Sequence, residues 1–220
     1  MAITVVGMGP ATLTLITKET WEKILAKKKI LLRTKIHPTV RELENAGIKI
    51  ESYDNFYETA DNFDELYEKI AADLIERSKR ENVLYGVPGS PLVAEKTVTL
   101  LRRYSKVQDI ELNICPALSF LDLLYQKANI DPISGIAILD AGDEEKFVAV
   151  KNFSLVITQV YNKQIASNVK LGLMEHLDDE REVLYAYHLG LPEEIVKNVK
   201  LFELDRIKNF DYLTSLYIGR

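Results

Sequence analysis

Two short stretches of this chain have the composition of turns that let a main chain come close to a ligand. They are Gly7-Met8-Gly9-Pro10 and Gly86-Val87-Pro88-Gly89-Ser90-Pro91, and each follows an apolar run. Glycine turns after a first strand recur where nucleotides bind, because the backbone N–H groups and the next helix N-terminus face the ligand. A dinucleotide fingerprint would need a third glycine where Thr12 stands and an acid at the end of the second strand, where Arg33 and Thr34 stand. No Gly-Lys-Ser/Thr follows either loop, which removes a phosphate-cradling NTPase loop as well. The remaining reading is a pocket for a small nucleotide-like ligand, with a plain structural turn as the alternative for the first loop alone. Other polar residues fall at strand or helix ends. Arg33 can hold a carboxylate or phosphate through its planar fork, or form a surface ion pair. His37 precedes Pro38 at a helix start, where it can cap the helix or face a ligand. Tyr161 and Asn162 follow a buried strand, where two polar groups can orient a ligand or simply make a turn.

Positioning these loops requires strands that end where the glycines begin. Residues 3–6, 29–33, 48–52, 83–86 and 111–114 read as buried strands, and the spacing predicts helices over 17–26, 38–47, 63–79 and 93–104 between them. Such alternation predicts a mostly parallel sheet covered on both faces, whose ligands bind at the carboxyl ends of its strands. Past residue 120 the texture changes. Helices are expected over 120–128 and 165–176, and strands over 136–139, 154–160, 183–187, 199–204 and 213–218, which predicts a mixed sheet with antiparallel strands. The expected organisation is therefore two α/β lobes, residues 1–116 and 117–220.

Composition limits the function classes. The chain has 220 residues, 47% hydrophobic and 28% charged, an ordinary globular balance. Net charge −5 disfavours a protein whose main task is gripping nucleic acid, since phosphate contacts need clustered cations. Lys27-Lys28-Lys29 reads instead as the cationic end of a helix. No apolar stretch is long enough to span a membrane, and no basic-then-apolar leader opens the sequence, so a cytoplasmic location is expected. The single cysteine, Cys115, permits no internal disulfide and reads as a packing residue. Glu175, Asp178, Asp179 and Glu182 could suggest a magnesium site, but helical periodicity ends near His176, so these acids read as a turn and no metal is expected. His176 and His188 are placed at a helix end and on a strand face.

Taken in order, Gly7-Met8-Gly9-Pro10 with Thr12 to Thr17, Pro88-Gly89-Ser90-Pro91 and Pro116-Ala117-Leu118-Ser119 resemble three motifs of the tetrapyrrole (corrin/porphyrin) methylases. Further segments make the resemblance more specific and extend it over nearly the whole chain: Leu32-Arg33-Thr34 with His37-Pro38, Ser119-Phe120-Leu121-Asp122, Gln159-Val160-Tyr161-Asn162, Ala166-Ser167 with Val169-Lys170-Leu171, and Asp211-Tyr212-Leu213-Thr214-Ser215-Leu216-Tyr217. They are similar to the methylase-like domain that, in certain bacterial fusion proteins, precedes a MazG-type nucleotide pyrophosphohydrolase domain. The resemblance implies the two-lobed class III methyltransferase fold with S-adenosylmethionine bound between the lobes. It also implies a homodimer, and a covalently attached MazG-type domain outside this sequence. Carried over by motif, it implies cofactor contacts at Gly7, Gly9, Pro10, Gly89, Ser90, Val93, Leu118, Ser119, Gln159 and Tyr161, and substrate contacts at Arg33, His37 and Asn162.

The reaction so implied is methyl transfer to a small molecule, a tetrapyrrole or another planar metabolite. It needs positioning more than acid–base help. If the acceptor must lose a proton, the candidate catalytic groups are His37, Tyr161, Asp122 and Lys170. Family methylases usually carry Asp where Ser90 stands, Gly where Ala117 stands and Met near Gln159. These departures support an alternative, a non-catalytic module that senses S-adenosylmethionine or a nucleotide. A methylase of RNA ribose is a second alternative, disfavoured by the acidic charge.

Overall fold

Five short segments of the first half pair side by side as β1 (Ala2–Gly7), β2 (Lys29–Leu32), β3 (Lys49–Ser52), β4 (Val83–Val87) and β5 (Glu111–Ile114). In this computed structural model, which describes residues 1–60 and 62–220 and only the main chain of Glu58 and Thr59, they form a wholly parallel sheet of order β3-β2-β4-β1-β5. The chain divides into two units, Met1–Phe120 and Leu121–Arg220, and this sheet is the centre of the first.

Strand alternation sends side chains to two cores. Ile3, Val5, Val83, Tyr85 and Val87 pack with Leu66, Ile70 and Leu74 of α4 (Phe63–Ser78) and with Val98 and Leu101 of α5 (Lys96–Val107). Val6, Ile30, Leu32 and Leu84 pack on the other face with Ile24 of α1 (Lys18–Lys27) and with Val40 and Leu43 of α2 (Val40–Asn45). Burial on both faces explains why the inner strands β1, β2 and β4 are near-continuous apolar runs, while the edge strands β3 and β5 alternate with polar residues. Thr17 caps α1 by accepting from the Thr20 N–H at 3.2 Å, and Asn62 caps α4 by accepting from the Glu65 N–H at 2.9 Å. A short helix, α3 (Asp54–Thr59), follows β3. Several helix boundaries shift by two or three residues from the sequence expectation, and one shift matters for the site: α5 starts at Lys96 rather than at residue 93, because Ala94 is left-handed (φ 51°) and no helix can run through it. The glycine-rich loop after β4 therefore extends to Glu95.

The second unit holds α6 (Phe120–Ala128, its first residue in the first unit), β6 (Ile136–Asp140), β7 (Ser154–Thr158), α7 (Lys163–Met174), β8 (Glu182–Tyr187), β9 (Ile195–Lys200) and β10 (Thr214–Ile218). Its sheet order is β6-β7-β10-β8-β9, parallel only between β6 and β7, which is the mixed sheet expected. The core joins Leu155, Ile157, Tyr185, Leu216 and Ile218 of the strands to Val169 and Leu173 of α7 and to Phe147. The strand expected over 199–204 is displaced. Residues Ile195–Lys200 pair along all of β8, while Leu201–Arg206 form a 3-10 turn that buries Leu201 and Leu204, three apart, on one side. Among the described residues no helix is long and apolar enough to cross a membrane.

Candidate functional site

β1 lies between β4 and β5, so the segments leaving their carboxyl ends must meet. Gly9 and Gly89 pair across the two glycine loops, Gly89 N–H donating to the Gly9 carbonyl at 2.9 Å and Gly9 N–H to the Gly89 carbonyl at 3.2 Å. A Cβ on Gly7 would fall 2.3 Å from the Gly89 carbonyl oxygen, 2.4 Å from the Ala117 Cβ and 2.8 Å from the Pro91 Cδ. Three segments that are far apart in sequence are thus in contact at one point, and only glycine fits there. Gly89 is the opposite case. It is left-handed (φ 64°) and a Cβ there would meet nothing within 4 Å, so its main chain borders open space. Around this point, Pro10 and Val93 are half-buried, Ser90 and Ser119 are buried, and Leu118 is exposed. The Ser90 hydroxyl accepts from the Leu92 N–H at 3.3 Å, within its own loop.

His37 clamps this arrangement from the β2 side. Its Nε2 lies 3.0 Å from the Gly9 carbonyl, while its Nδ1 accepts from the Thr39 N–H at 3.3 Å and lies 2.8 Å from the Thr39 hydroxyl. These partners require the neutral ring with its proton on Nε2, donating to Gly9. Burial, with the Arg33 cation nearby, holds its pKa below the ordinary 6.5, against the opposing pull of the Gly9 carbonyl. With both nitrogens engaged by the main chain or Thr39, His37 is placed as a positioning residue of the loop.

Arg33 donates its N–H to the Gly86 carbonyl at 2.9 Å and sends its side chain toward α5, where Nη1 is 3.2 Å from Glu95 Oε2. The Glu95 side chain is only 3% exposed and Arg33 21%, so this is a largely buried pair. Burial raises the pKa of the Glu95 carboxyl, while Arg33 and Thr97 pull it back. Sequence reasoning identified Arg33 but missed Glu95. An expected helix start at residue 93 hides a loop acid inside a first helical turn, where acids are commonplace.

The remaining candidates belong to the second unit. Gln159 follows β7 in a left-handed conformation (φ 62°), a strained setting for a residue with a side chain. Tyr161 is exposed and stacks on Tyr212, ring centroids 5.2 Å apart. The Asn162 side chain accepts from the Ile165 N–H at 2.8 Å and caps α7. Lys170 on α7 is paired with Asp205 at 2.6 Å, and Asp122 sits in the first turn of α6. His188 stands just past β8, not on its face, with φ 53° and its Nε2 2.5 Å from Asp211 Oδ2. No local pattern reveals that pair, because its members are joined only by strand pairing.

At the carboxyl end of the first sheet, an open-sided glycine, paired main-chain loops and flanking Pro10 and Leu118 suit a ligand with a flat apolar body and main-chain-bonding edges. The chemistry available is binding and alignment. Among the described residues no group of three or more His, Cys, Asp or Glu could hold a metal ion.

Comparison with known proteins places this arrangement. The family model described as Tetrapyrrole (Corrin/Porphyrin) Methylases matches residues 2–205. The protein YabN of Bacillus subtilis (strain 168) is 40% identical over 216 residues, which are 98% of this chain and 44% of that protein, so the chain spans less than half of its relative's length. Among solved structures, the cobalamin biosynthetic enzyme cobalt precorrin-4 methyltransferase superposes with a TM-score of 0.76 at 14% identity, covering 99% of this chain and 94% of that one. Diphthine synthase gives 0.74 at 15%, covering 100% and 90%. Uroporphyrin-III C-methyl transferase from Thermus thermophilus, solved with S-adenosylhomocysteine, gives 0.72 at 15%, covering 100% and 98%. At these identities the structural likeness speaks for the fold.

Proposed function

The chain belongs to the tetrapyrrole (corrin/porphyrin) methylase family, and from that premise we propose that it binds S-adenosylmethionine at the meeting point of its glycine loops and transfers the methyl group to a small acceptor. The observation that carries the reading is the contact of Gly7, Gly89 and Ala117, three segments of one sheet end gathered beside an open glycine face. The bound cofactor would supply an electrophilic methyl on a sulfonium, which an acceptor nucleophile takes as S-adenosylhomocysteine leaves. The residues fit that group. Gly89 has open space where a side chain would stand, so the main chain can meet the adenosyl moiety directly, and Pro10 and Leu118 offer apolar surface to a purine.

For the chain's own residues the work is alignment, which in favourable cases lowers a barrier by about 7–11 kcal/mol. His37 holds the Gly9 carbonyl in place, and Arg33, paired with Glu95, borders the same loops. A sensor that binds the cofactor without turnover is the second reading. It is favoured by Ser90, which stands where family methylases usually carry an acid and whose hydroxyl accepts from the Leu92 N–H of its own loop. Calorimetric titration with S-adenosylmethionine, S-adenosylhomocysteine and ATP tests both readings. Binding of the adenosyl compounds in preference to ATP is expected, and preference for ATP would defeat the methylase reading. Methyl release to no acceptor in the presence of tight adenosyl binding would favour the sensor.

A further inference from the structure

The Gly9 carbonyl, which pairs the two glycine loops, accepts from two donors at once, the Gly89 N–H at 2.9 Å and His37 Nε2 at 3.0 Å. The second donor can change its charge. His37 belongs to the segment after β2, between exposed Ile36 and exposed Pro38, and is itself only half-buried, so its ring has a route to water. Its seat fits one protonation state. The neutral ring with its proton on Nε2 donates to Gly9 and accepts at Nδ1 from the Thr39 N–H at 3.3 Å. The cationic ring carries a proton on both nitrogens, and its Nδ1–H would oppose the Thr39 N–H, donor against donor. The Thr39 hydroxyl, 2.8 Å from Nδ1, can turn to accept the new proton. The Thr39 N–H, in a residue with no exposed surface, would still lose its acceptor.

We propose that His37 is a proton-operated latch on the glycine loops: neutral, it holds the Gly9 carbonyl where the paired loops meet an adenosyl ligand; protonated, it turns out to water, releases that carbonyl and lowers the ligand's affinity. The mismatch at Nδ1 drives the release, and so does the cost of a second, partly desolvated cation beside Arg33. The groups that act on the ring's charge are Arg33 at the end of β2, which favours the neutral form, and Glu42 on α2, which favours the charged one. The loop after β1 meets the ring with the Gly9 carbonyl, and Glu95 on the loop after β4 is paired with Arg33. Linkage fixes the sign. Affinity is full above the folded-state pKa of His37, held below its ordinary 6.5, and is lost as pH falls through that value; reciprocally, bound ligand lowers the pKa further. The inference rests on the methylase reading for the identity of the ligand, but not for the latch itself.

The test is calorimetric titration of the intact chain with S-adenosylhomocysteine from about pH 5 to about pH 8, the range in which a histidine changes charge, with circular dichroism checking the fold at each pH. The His37 midpoint is read independently by NMR titration of its ring. In the parent protein, Kd is expected to be flat at the alkaline end and to rise, below that midpoint, toward about tenfold per pH unit as the binding-competent fraction falls. His37→Gln offers an amide N–H to Gly9 but takes up no proton, so its affinity should not change over the range; it keeps Glu42 and Glu95, and any slope that remains is theirs. In the ligand-free parent, hydrogen exchange follows the Gly89 amide, which donates to the same carbonyl, and its protection factor should fall as His37 titrates. An affinity that stays flat through the His37 midpoint, an equal slope in His37→Gln, or unchanged Gly89 protection would overturn the proposal. If S-adenosylhomocysteine binds equally at every pH, the latch fails and the methylase reading stands. If Gly89 protection falls with the His37 titration while the ligand binds at no pH, the methylase reading fails and the latch stands.

Discussion

Replacing Gly7 by alanine inserts one methyl group at the contact of three loops, and its consequence can be worked from distances. The new Cβ would sit 2.3 Å from the Gly89 oxygen, about 1 Å inside ordinary contact, and nearly as deep against Ala117 Cβ and Pro91 Cδ. None of these is the free end of a flexible side chain, so the loops themselves must separate. Overpacking of this kind costs about 1–3 kcal/mol. For a chain of this length each kcal/mol lowers the melting temperature by about 2–4 °C, which gives an expected fall of about 2–12 °C. The Gly9–Gly89 main-chain bonds hold the loops at 2.9 and 3.2 Å, and a separation near 1 Å breaks them. A displacement of that size in a positioning site costs about a hundredfold in rate, and S-adenosylhomocysteine affinity is expected to fall with it. Gly47→Ala is the control. A Cβ there meets nothing within 4 Å, so only its left-handed φ of 71° is strained, at about 1–2 kcal/mol. The control should lose stability and keep affinity. Thermal denaturation followed by circular dichroism, with calorimetric titration of S-adenosylhomocysteine, reads both quantities. A Gly7→Ala protein that melts within a degree of the parent and binds equally well would refute the convergence of these loops.

Three further outcomes follow from the same geometry. Because the folded state holds the His37 pKa below its ordinary 6.5, the unfolded chain binds the proton first on acidification; the stabilisation is complete above pH 6.5 and is lost as pH falls toward the folded value. His37→Ala should flatten that part of a stability-versus-pH curve and cost about 0.5–1.5 kcal/mol at neutral pH, read by urea denaturation at a series of pH values. Asn162→Ala should destabilise by about 0.5–2 kcal/mol through loss of the α7 cap, with cofactor affinity unchanged by calorimetry; a selective loss of affinity would restore Asn162 as a ligand contact. Lys170→Met should return the Asp205 carboxyl, now held low chiefly by its bond to Lys170, toward its ordinary 3.8, a change measurable by NMR titration.

Much of this fold is legible along the chain because local rules and tertiary packing agree. The runs at Ile3, Ile30 and Val83 are strands buried on both faces, and the turn that follows β1 is where glycines sit in the sequence. Thr17 announces its helix by residue type and caps it in the structure. What stays hidden is set by long-range pairing or by a single backbone angle. The order β3-β2-β4-β1-β5 cannot be read from the order of the strands in sequence, yet it decides which loops touch. Glu95 is hidden because Ala94 adopts a left-handed φ that no residue preference signals, which turns an apparent helical acid into a buried loop acid. Asn162 shows the converse, since the residue types that orient ligands are also those that cap helices, and its side chain is engaged by the Ile165 N–H.

The strand order also explains why one loop makes two different sets of contacts. β4 is flanked by β1 on one side and β2 on the other, so the segment after it, 88–95, has two neighbours. Toward β1 it presents Gly89 to Gly9 and Gly7; toward β2 it presents Glu95 to Arg33. A left-handed residue, Ala94, directly precedes Glu95 and sets the direction of that end of the loop. Ala94→Gly relieves the strain of that angle while leaving the local chain freer. Its expected signature is therefore asymmetric: adenosyl binding, which depends on the Gly89 end, should persist, while the stability contributed by the Arg33–Glu95 pair should fall. Equal loss of both would mean that the loop moves as one piece and that its two ends cannot be treated as separate sites.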